Sequence, residues 1–452
     1  MTSRLGDLPI ELFLNITSFL RHEDLSVLVR VSKAVHRVIQ PLIWTNIELH
    51  PPEYHEKYDY LEARLEMGST YRAYHAKRPG EEWQDAFDYE QKSRSFVELC
   101  EYLLQSNPAR LTELTTQVRS LCLVVDTYAD EEPTRSCWNI FARFTNLESL
   151  EITGKWSWYN EFVAFDGTAS PLTKLRVARI YGYVPREFIQ YVLCSGSSLT
   201  KLEIGTLDAP ISSSRFGDDR LNSPPGYSDP YESDSDDEAV PFGFRAEDLA
   251  LESDEEDLDE NEVAPRPLIW VPDSLDQCQF LSLTSLWLCK PSEAHIGHGN
   301  WHYYTPTHSV RSDRRSLVDW VRLVRAVIPT LVNLTFEHRL VGPEIESEST
   351  TSKEFIEIYG YGPGDERFKE LVLPMLEEEV SWPALKRLAF YGILVGKKAP
   401  QGVKEKVTNH FSSLGVDVQF YLGKRMLFVP EEGTVCISAD GMGSSSDSSG
   451  DV

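Results

Sequence analysis

The chain has 452 residues, 41% of them hydrophobic, which supplies packed cores for two or three domains of about 150 residues and excludes a wholly disordered protein. Its formal net charge of -27 would repel phosphates, so nucleic acid is excluded as the main partner. No apolar run approaches the ~18 residues of a membrane span, and no membrane partner is expected.

The first predicted element opens with "LPIELFLNITSFL". Pro9 suits a first helical turn, where its missing N–H has no intrahelical partner. At about 100° per residue, Ile10, Leu12, Phe13, Leu14, Ile16, Phe19 and Leu20 occupy an arc of roughly 220°, broken by Thr17. A helix packed on one neighbour needs little more than ~100°. Asp7, Glu11 and the Arg21–Asp24 cluster interrupt the segment, so it does not read as a signal peptide. Arg21 to Asp24 forms a polar corner whose acids suit the start of a second helix. Pro41 marks the end of a third, or a kink near it. Three short helices in about 40 residues sit at the limit of independent folding, so the surplus apolar surface meets either a partner or the next domain.

The segment from Leu8 to Leu49 resembles an F-box. Leu8, Pro9, Glu11 and Leu12 match the family's opening Leu-Pro and Glu-Leu. Ile16, Leu20, Asp24-Leu25 and Val31-Ser32 match its middle, and Pro41, Leu42 and Trp44 its close. The resemblance implies binding to a Skp-type adaptor and, through it, a cullin–RING ubiquitin ligase. On the matched motif, Leu8, Pro9, Leu12, Ile16, Leu20 and Leu25 are the adaptor-contact candidates. The resemblance covers about the first fifty residues and points to a fungal-type F-box protein, many of which carry an irregular leucine-rich-repeat-like C-terminal domain.

Residues 51–115 read as a helical connecting segment, rich in Tyr and charge, with Leu61, Leu65, Phe96, Leu99, Leu103 and Leu104 at helical spacing. Beyond it, an apolar-x-x-Leu-x-apolar pattern recurs as "VRSLCL", "LESLEI", "LTKLRV", "LTKLEI", "LTSLWL", "LVNLTF" and "LKRLAF". Each reads as a short strand with alternating inward residues. Helices are expected between them, from Pro185, from Ser316 and, before a final strand, from Gly402. Early intervals of about 25 to 29 residues fall near the leucine-rich-repeat range, although the Asn or Cys usual after the strand is missing. Parallel stacking would line a concave face with the residues between the leucines: Cys122, Glu151, Arg176, Glu203, Trp287, Thr335 and Ala389. Glu151, Arg176, Glu203 and Trp287 are the target-binding candidates. Trp287 reads either as an exposed anchor or as a side chain buried beneath an insertion.

Residues 212–267 are of different material. From Asp229 to Glu262 there are sixteen acids and one base, more than half of the net charge. Self-repulsion and scarce apolar residues predict a disordered insertion, either a solvated loop or a site for basic proteins. Ser233, Ser235 and Ser253 each have an acid three residues on, a pattern suited to an acid-directed kinase. The tail from 431 to 452 also reads as disordered.

No motif for catalysis stands out. His295, His298, His302 and His308 crowd together, but Gly297, Gly299 and Pro306 make a loop there and no H-E-x-x-H is present, so no metal site is expected. There is no G-x-S-x-G elbow and no Walker loop. Seven scattered cysteines without a C-x-x-C pair form neither a disulfide framework nor a zinc ribbon, and suit a reduced compartment. Cys194 and Cys289 read as packing residues.

The expected fold class is α/β: an all-α three-helix F-box (1–50), the connecting segment (51–115), and an irregular leucine-rich-repeat-like solenoid in two parts (116–211 and 268–430) flanking the acidic insertion. The expected function is non-catalytic target recognition in a ubiquitin ligase in the cytoplasm or nucleus, with no cofactor. The first rival reading is a non-degradative scaffold whose insertion binds basic nuclear proteins, and the second a metal-dependent enzyme using the His295–His308 loop.

Overall fold

The computed structural model describes residues 9–17, 20, 22–49, 84–126, 138–155, 165, 170–212, 262–269, 271–272, 275, 278–293, 305–306, 310–342, 360–378, 382–422, 424–429 and 433–438. Three helices lead: α1 (Ile10–Thr17), α2 (His22–Leu28) and α3 (Lys33–Thr45). Ser32 caps α3, its hydroxyl accepting from the Val35 amide at 3.2 Å. Pro41 does not end that helix, which runs on to Thr45 and passes directly into strand β1 (Asn46–Glu48).

The first strand therefore comes from the end of the segment that resembles an F-box. Helices α4 (Gln84–Ser106) and α5 (Pro108–Thr115) return the chain to β2 (Ser120–Asp126), which pairs in parallel with β1. Asn107 starts α5 by accepting from the Arg110 amide at 3.1 Å, with Pro108 next in line. Of the apolar residues read on the connecting segment, Phe96, Leu103 and Leu104 pack on the main core and Leu99 is exposed. Leu61 and Leu65 lie outside the described residues.

The rest follows in order: α6 (Trp138–Phe141), β3 (Ser149–Lys155), β4 (Val177–Tyr183), α7 (Arg186–Cys194), β5 (Lys201–Ser212), β6 (Glu262–Leu268), β7 (Ser285–Glu293), β8 (Thr305–Pro306), α8 (Val310–Val327), β9 (Asn333–Gly342), α9 (Pro363–Leu371), α10 (Leu373–Glu377), β10 (Arg387–Tyr391), α11 (Gln401–Ser413), β11 (Asp417–Tyr421), β12 (Lys424–Val429) and β13 (Gly433–Ser438). Helix α8 begins ahead of Ser316, where the sequence placed its start. Gly415, with φ 76°, supplies the left-handed residue that turns the chain from α11 into β11.

Among the described residues one sheet of thirteen strands results, with β1-β2-β3-β4-β5-β7-β9-β10-β11 as its path. Every neighbour along that path is parallel, and each new strand is laid beside the one before. At each step the residue before a strand, or the strand's first residue, donates its amide to the preceding turn. Arg119 bonds the Thr45 carbonyl at 2.8 Å, Glu148 that of Arg119 at 2.7 Å, and Arg176 that of Glu148 at 2.8 Å. Thr200, Thr284, Val332, Lys386 and Asp417 continue this series.

One face of the sheet carries Leu121, Leu150, Ala178, Leu202, Leu286, Leu334 and Leu388, which are buried in a single core with Phe188 of α7, Trp320 of α8, Phe368 of α9 and Phe411 of α11. Parallel strands covered by their crossover helices form such a layer. Aromatic rings fill it, with Phe188 4.9 Å from Trp138 and Phe390 4.7 Å from Phe420.

Two segments assigned to disorder contain strands. Glu262–Leu268 is β6, antiparallel to the end of β5, although it falls in the 212–267 stretch. Gly433–Ser438 is β13, antiparallel to β12, although it falls in the tail. Gly433–Ser438 has β-branched residues, whereas Glu262–Leu268 carries two prolines, and in both the backbone pairing depends on a neighbouring strand that composition does not reveal. The acidic residues 213–261 lie outside the described residues.

Candidate functional site

Two surfaces are candidates, the outer face of the helical unit and the sheet face opposite the helices. In α1, Phe13 and Thr17 lie one helical turn apart and point inward, and Thr17 donates its hydroxyl to the Leu14 carbonyl at 2.9 Å. The residue that interrupts the apolar arc is thus satisfied inside the unit. Phe13, Leu25, Val35 and Ile39 form a small separate core, with Leu20 packed partly against it.

The remaining apolar side chains of α1 face outward. Six of the eleven large apolar side chains found exposed among the described residues, namely Ile10, Leu12, Leu14, Ile16, Val27 and Val31, fall within residues 10–31. Singly, an exposed apolar side chain means little, but a cluster this dense marks an interaction surface. Of the residues assigned to adaptor contact, Pro9, Leu12 and Ile16 are exposed and Leu20 is half-buried. Leu25 is buried, so it is corrected to a core residue: one turn of α2 must face α1 and α3, and Leu25 occupies that side. Leu8 lies outside the described residues. Ile10, Leu14, Val27 and Val31 are exposed as well; they were not among the adaptor-contact candidates, although Val31 belongs to the matched motif and the apolar arc took in Ile10 and Leu14.

On the sheet, the face opposite the helices carries one aligned row, Cys122, Glu151, Arg179, Glu203, Trp287, Thr335 and Ala389. Arg176 is not in it. It is exposed at the strand entrance, level with Arg119 and Glu148. The misplacement has a simple origin: Ala178 stands where the other strands have Leu or Ile, so the Leu-rich pattern reads three residues too early at "LTKLRV".

Nor is this row an open concavity. Glu151, Glu203 and Trp287 are all buried. Arg179 donates from Nη1 to Glu151 Oε2 at 3.0 Å and lies 3.3 Å from Glu203 Oε1 through Nε, while Lys201 Nζ is 2.8 Å from the same Glu203 oxygen. Tyr181 Oη donates to Glu203 Oε2 at 3.2 Å. Burial alone would raise the Glu203 carboxyl, but Arg179 and Lys201 beside it hold it down at about 2. Burial opposes the Arg179 charge, and the two glutamates outweigh that opposition, raising its pKa. Trp287 donates its indole N–H to Glu337 Oε2 at 2.9 Å and stacks on Tyr391 at 5.3 Å. It is a buried hydrogen-bonded ring.

The accessible part of this face lies at its β11 end. Asp417 is exposed, while Thr335, Arg387, Gln419 and Tyr421 are half-buried. Arg387 Nη2 donates to Gln419 Oε1 at 2.9 Å and to Tyr421 Oη at 3.2 Å, and Tyr421 stacks on Tyr391 at 4.4 Å. Alternation along a strand places Asp417, Gln419 and Tyr421 on one side, which forms a polar-aromatic rim.

A second charged cluster sits on the helix side. Lys290 of β7 pairs with Asp313 of α8, whose other oxygen accepts from Arg367 Nε at 2.6 Å. Asp365 accepts from the Gly362 amide at 3.1 Å and from the amide of Leu394 at 2.6 Å. Leu394 has φ 56°, a left-handed residue held in place by that bond. Burial lowers the Lys290 pKa and raises the Asp365 carboxyl to about 6. Lys290, Asp313 and Asp365 have at most 1% of their surface exposed. Their work is to tie α8 and α9 to the strand ends. Among the described residues, no group of three or more His, Cys, Asp and Glu side chains is placed to hold a metal ion. His295, His298, His302 and His308 lie outside the described residues.

A family model described as F-box-like matches residues 5–50. No curated protein matches the chain. The N-terminal helical unit is F-box-like, and F-box domains in general bind Skp-type adaptors and serve as non-catalytic subunits.

Proposed function

We propose that this chain is the target-recognition subunit of a Skp–cullin–F-box ubiquitin ligase, with its adaptor on the outer face of α1 and the α2–α3 turn, and its target on the sheet. The observation that carries this reading is the exposed apolar cluster of Ile10, Leu12, Leu14, Ile16, Val27 and Val31 on a unit whose own apolar core, among the described residues, has four buried side chains. Pro9 extends that surface at the helix start. The unbroken passage from α3 into β1 adds support, because a stiff joint fixes the bound target relative to the ligase and raises the effective concentration of its lysines.

The strand-by-strand parallel order and the repeated amide-to-carbonyl step favour reading the sheet as an irregular leucine-rich-repeat solenoid of the type in fungal F-box proteins. The target surface we assign to the rim formed by Thr335, Arg387, Asp417, Gln419 and Tyr421, which replaces the buried row. The chain itself performs no ubiquitin chemistry, takes no cofactor, and works in the cytoplasm or nucleus.

Co-purification with a Skp-type adaptor tests this. Wild type should retain the adaptor, and the Leu12→Asp, Ile16→Asp variant should lose it while keeping its circular dichroism, because a charge buried unpaired in an apolar interface costs several kcal/mol. A wild-type chain that retains no adaptor would transfer the lead to the scaffold reading. Deleting residues 213–261 would then be expected to abolish binding to basic nuclear proteins.

A further inference from the structure

Where α7 ends, the sheet contains a feature unrelated to adaptor docking. The thiol of Cys194, the last residue of that helix, lies 3.4 Å from the thiol of Cys278, which donates its S–H to it. The two are 84 residues apart in sequence and lie on opposite sides of the acidic insertion. Cys194 is exposed and Cys278 is buried. Cys100, Cys122 and Cys289 are buried as well, and burial pushes the Cys100 thiol up to about 12.

The surroundings hold the pair together. The Leu172 amide donates to Ser195 Oγ at 2.9 Å, which fixes the residue after Cys194. A Cβ on Gly196 would lie 2.6 Å from the Phe280 ring, so glycine is what lets the segment carrying Cys278 approach the helix end this closely. Thr330 Oγ1 donates to the Leu283 carbonyl at 2.8 Å and anchors the far end of that segment below α8.

We propose that Cys194 and Cys278 form a reversible oxidation site, at which a peroxide converts the thiol pair to a disulfide that locks α7 to the segment preceding β7. In the first step the Cys194 thiolate attacks the peroxide O–O bond, giving a sulfenic acid and, for hydrogen peroxide, one water. In the second, the Cys278 sulfur attacks the sulfenic sulfur, forms the S–S bond and releases a second water. The two thiols are oxidised and the peroxide is reduced, so atoms and electrons balance. Closing the pair takes the sulfurs from 3.4 Å to about 2.05 Å, a small movement between groups already held in place. The S–H donated by Cys278 favours the Cys194 anion and lowers that thiol to about 7, so the exposed member is also the nucleophilic one. The resulting covalent loop encloses β5, the acidic stretch and β6. In a reducing compartment such bonds are transient and redox-sensing.

The test uses the full-length wild-type chain, treated with hydrogen peroxide, alkylated and mapped by peptide mass spectrometry. The expected result is a Cys194–Cys278 linked peptide that dithiothreitol abolishes. Cys194→Ser, a change at an exposed position, should remove it. Cys278→Ala should leave a Cys194 sulfenic acid that dimedone traps. Full alkylation of both thiols after peroxide, or a Cys194 sulfinic acid without the linked peptide, overturns the proposal.

Discussion

The F-box-like unit and the sheet handle their difficult side chains in opposite ways. The helical unit has a core of Phe13, Leu25, Val35 and Ile39 and leaves six large apolar side chains in water. The sheet, whose core runs from Ile47 to Val416, buries charge: Glu151, Arg179 and Glu203 on one face, Lys290, Asp313 and Arg367 on the other. The difference follows from size. A unit of about 40 residues has too little interior to hide its apolar surface, so that surface is free for a partner. A long parallel sheet has rows of neighbours close enough to neutralise a charge removed from water.

The largest effect that would break this contrast lies in the sheet. Asp313→Ala leaves Lys290 and Arg367 buried without their shared carboxylate, which should cost about 3–5 kcal/mol of global stability. Phe13→Ala empties the small core at a cost of similar size, about 3–5 kcal/mol, but confined to the helical unit. Chemical denaturation followed by tryptophan fluorescence should therefore show the main transition moved by Asp313→Ala and left in place by Phe13→Ala. Equal displacement would mean that α3 and β1 join the two regions into one cooperative unit.

Acid should reach the sheet through Glu203. Its carboxyl is held at about 2 against an ordinary 4.5, so the folded form keeps the carboxylate charged where the unfolded chain protonates it. The stability this contributes is fully present above the unfolded value and is lost as pH falls from about 4.5 towards 2. It amounts to roughly 3 kcal/mol by linkage. Glu203→Gln should lower stability at pH 7 and flatten the decline between pH 4.5 and 2. An unchanged acid slope would show that other carboxylates carry the transition.

These contrasts mark where the sequence was legible. Local patterns sufficed for α1, for "LESLEI" as β3 and for "LTKLEI" as β5, since each depends on residues a few positions apart. The shift from Arg176 to Arg179 escaped because one alanine, Ala178, fills a leucine position and hides the strand's phase. The burial of Trp287 depends on Glu337 and Tyr391, distant in the chain and brought close by strand order. The nearness of Cys194 to Cys278 depends on two chain segments meeting across the insertion. Cys194, read from the sequence as packing, is exposed. Alternation specifies which residues share a face. It does not specify what covers that face.

The smallest expected effect isolates burial from geometry. Arg119 and Glu148 approach to 2.6 Å, closer than the 3.0 Å between Arg179 and Glu151, yet their side chains are 62% and 38% exposed against 11% and 5%. If distance governed, the surface pair would be the stronger. Water screens it, however, and two long side chains lose rotamer freedom to form it, so a double-mutant cycle on Arg119 and Glu148 should give a coupling of about 0.2–1 kcal/mol that fades in high salt. Arg179→Ala instead leaves two carboxylates adjacent and desolvated, and should cost about 3–5 kcal/mol with little dependence on salt. A coupling at Arg119 and Glu148 that matched the Arg179 effect would mean that the strand-entrance edge is shielded from water in solution, and the search for a target would move from the β11 rim to that edge.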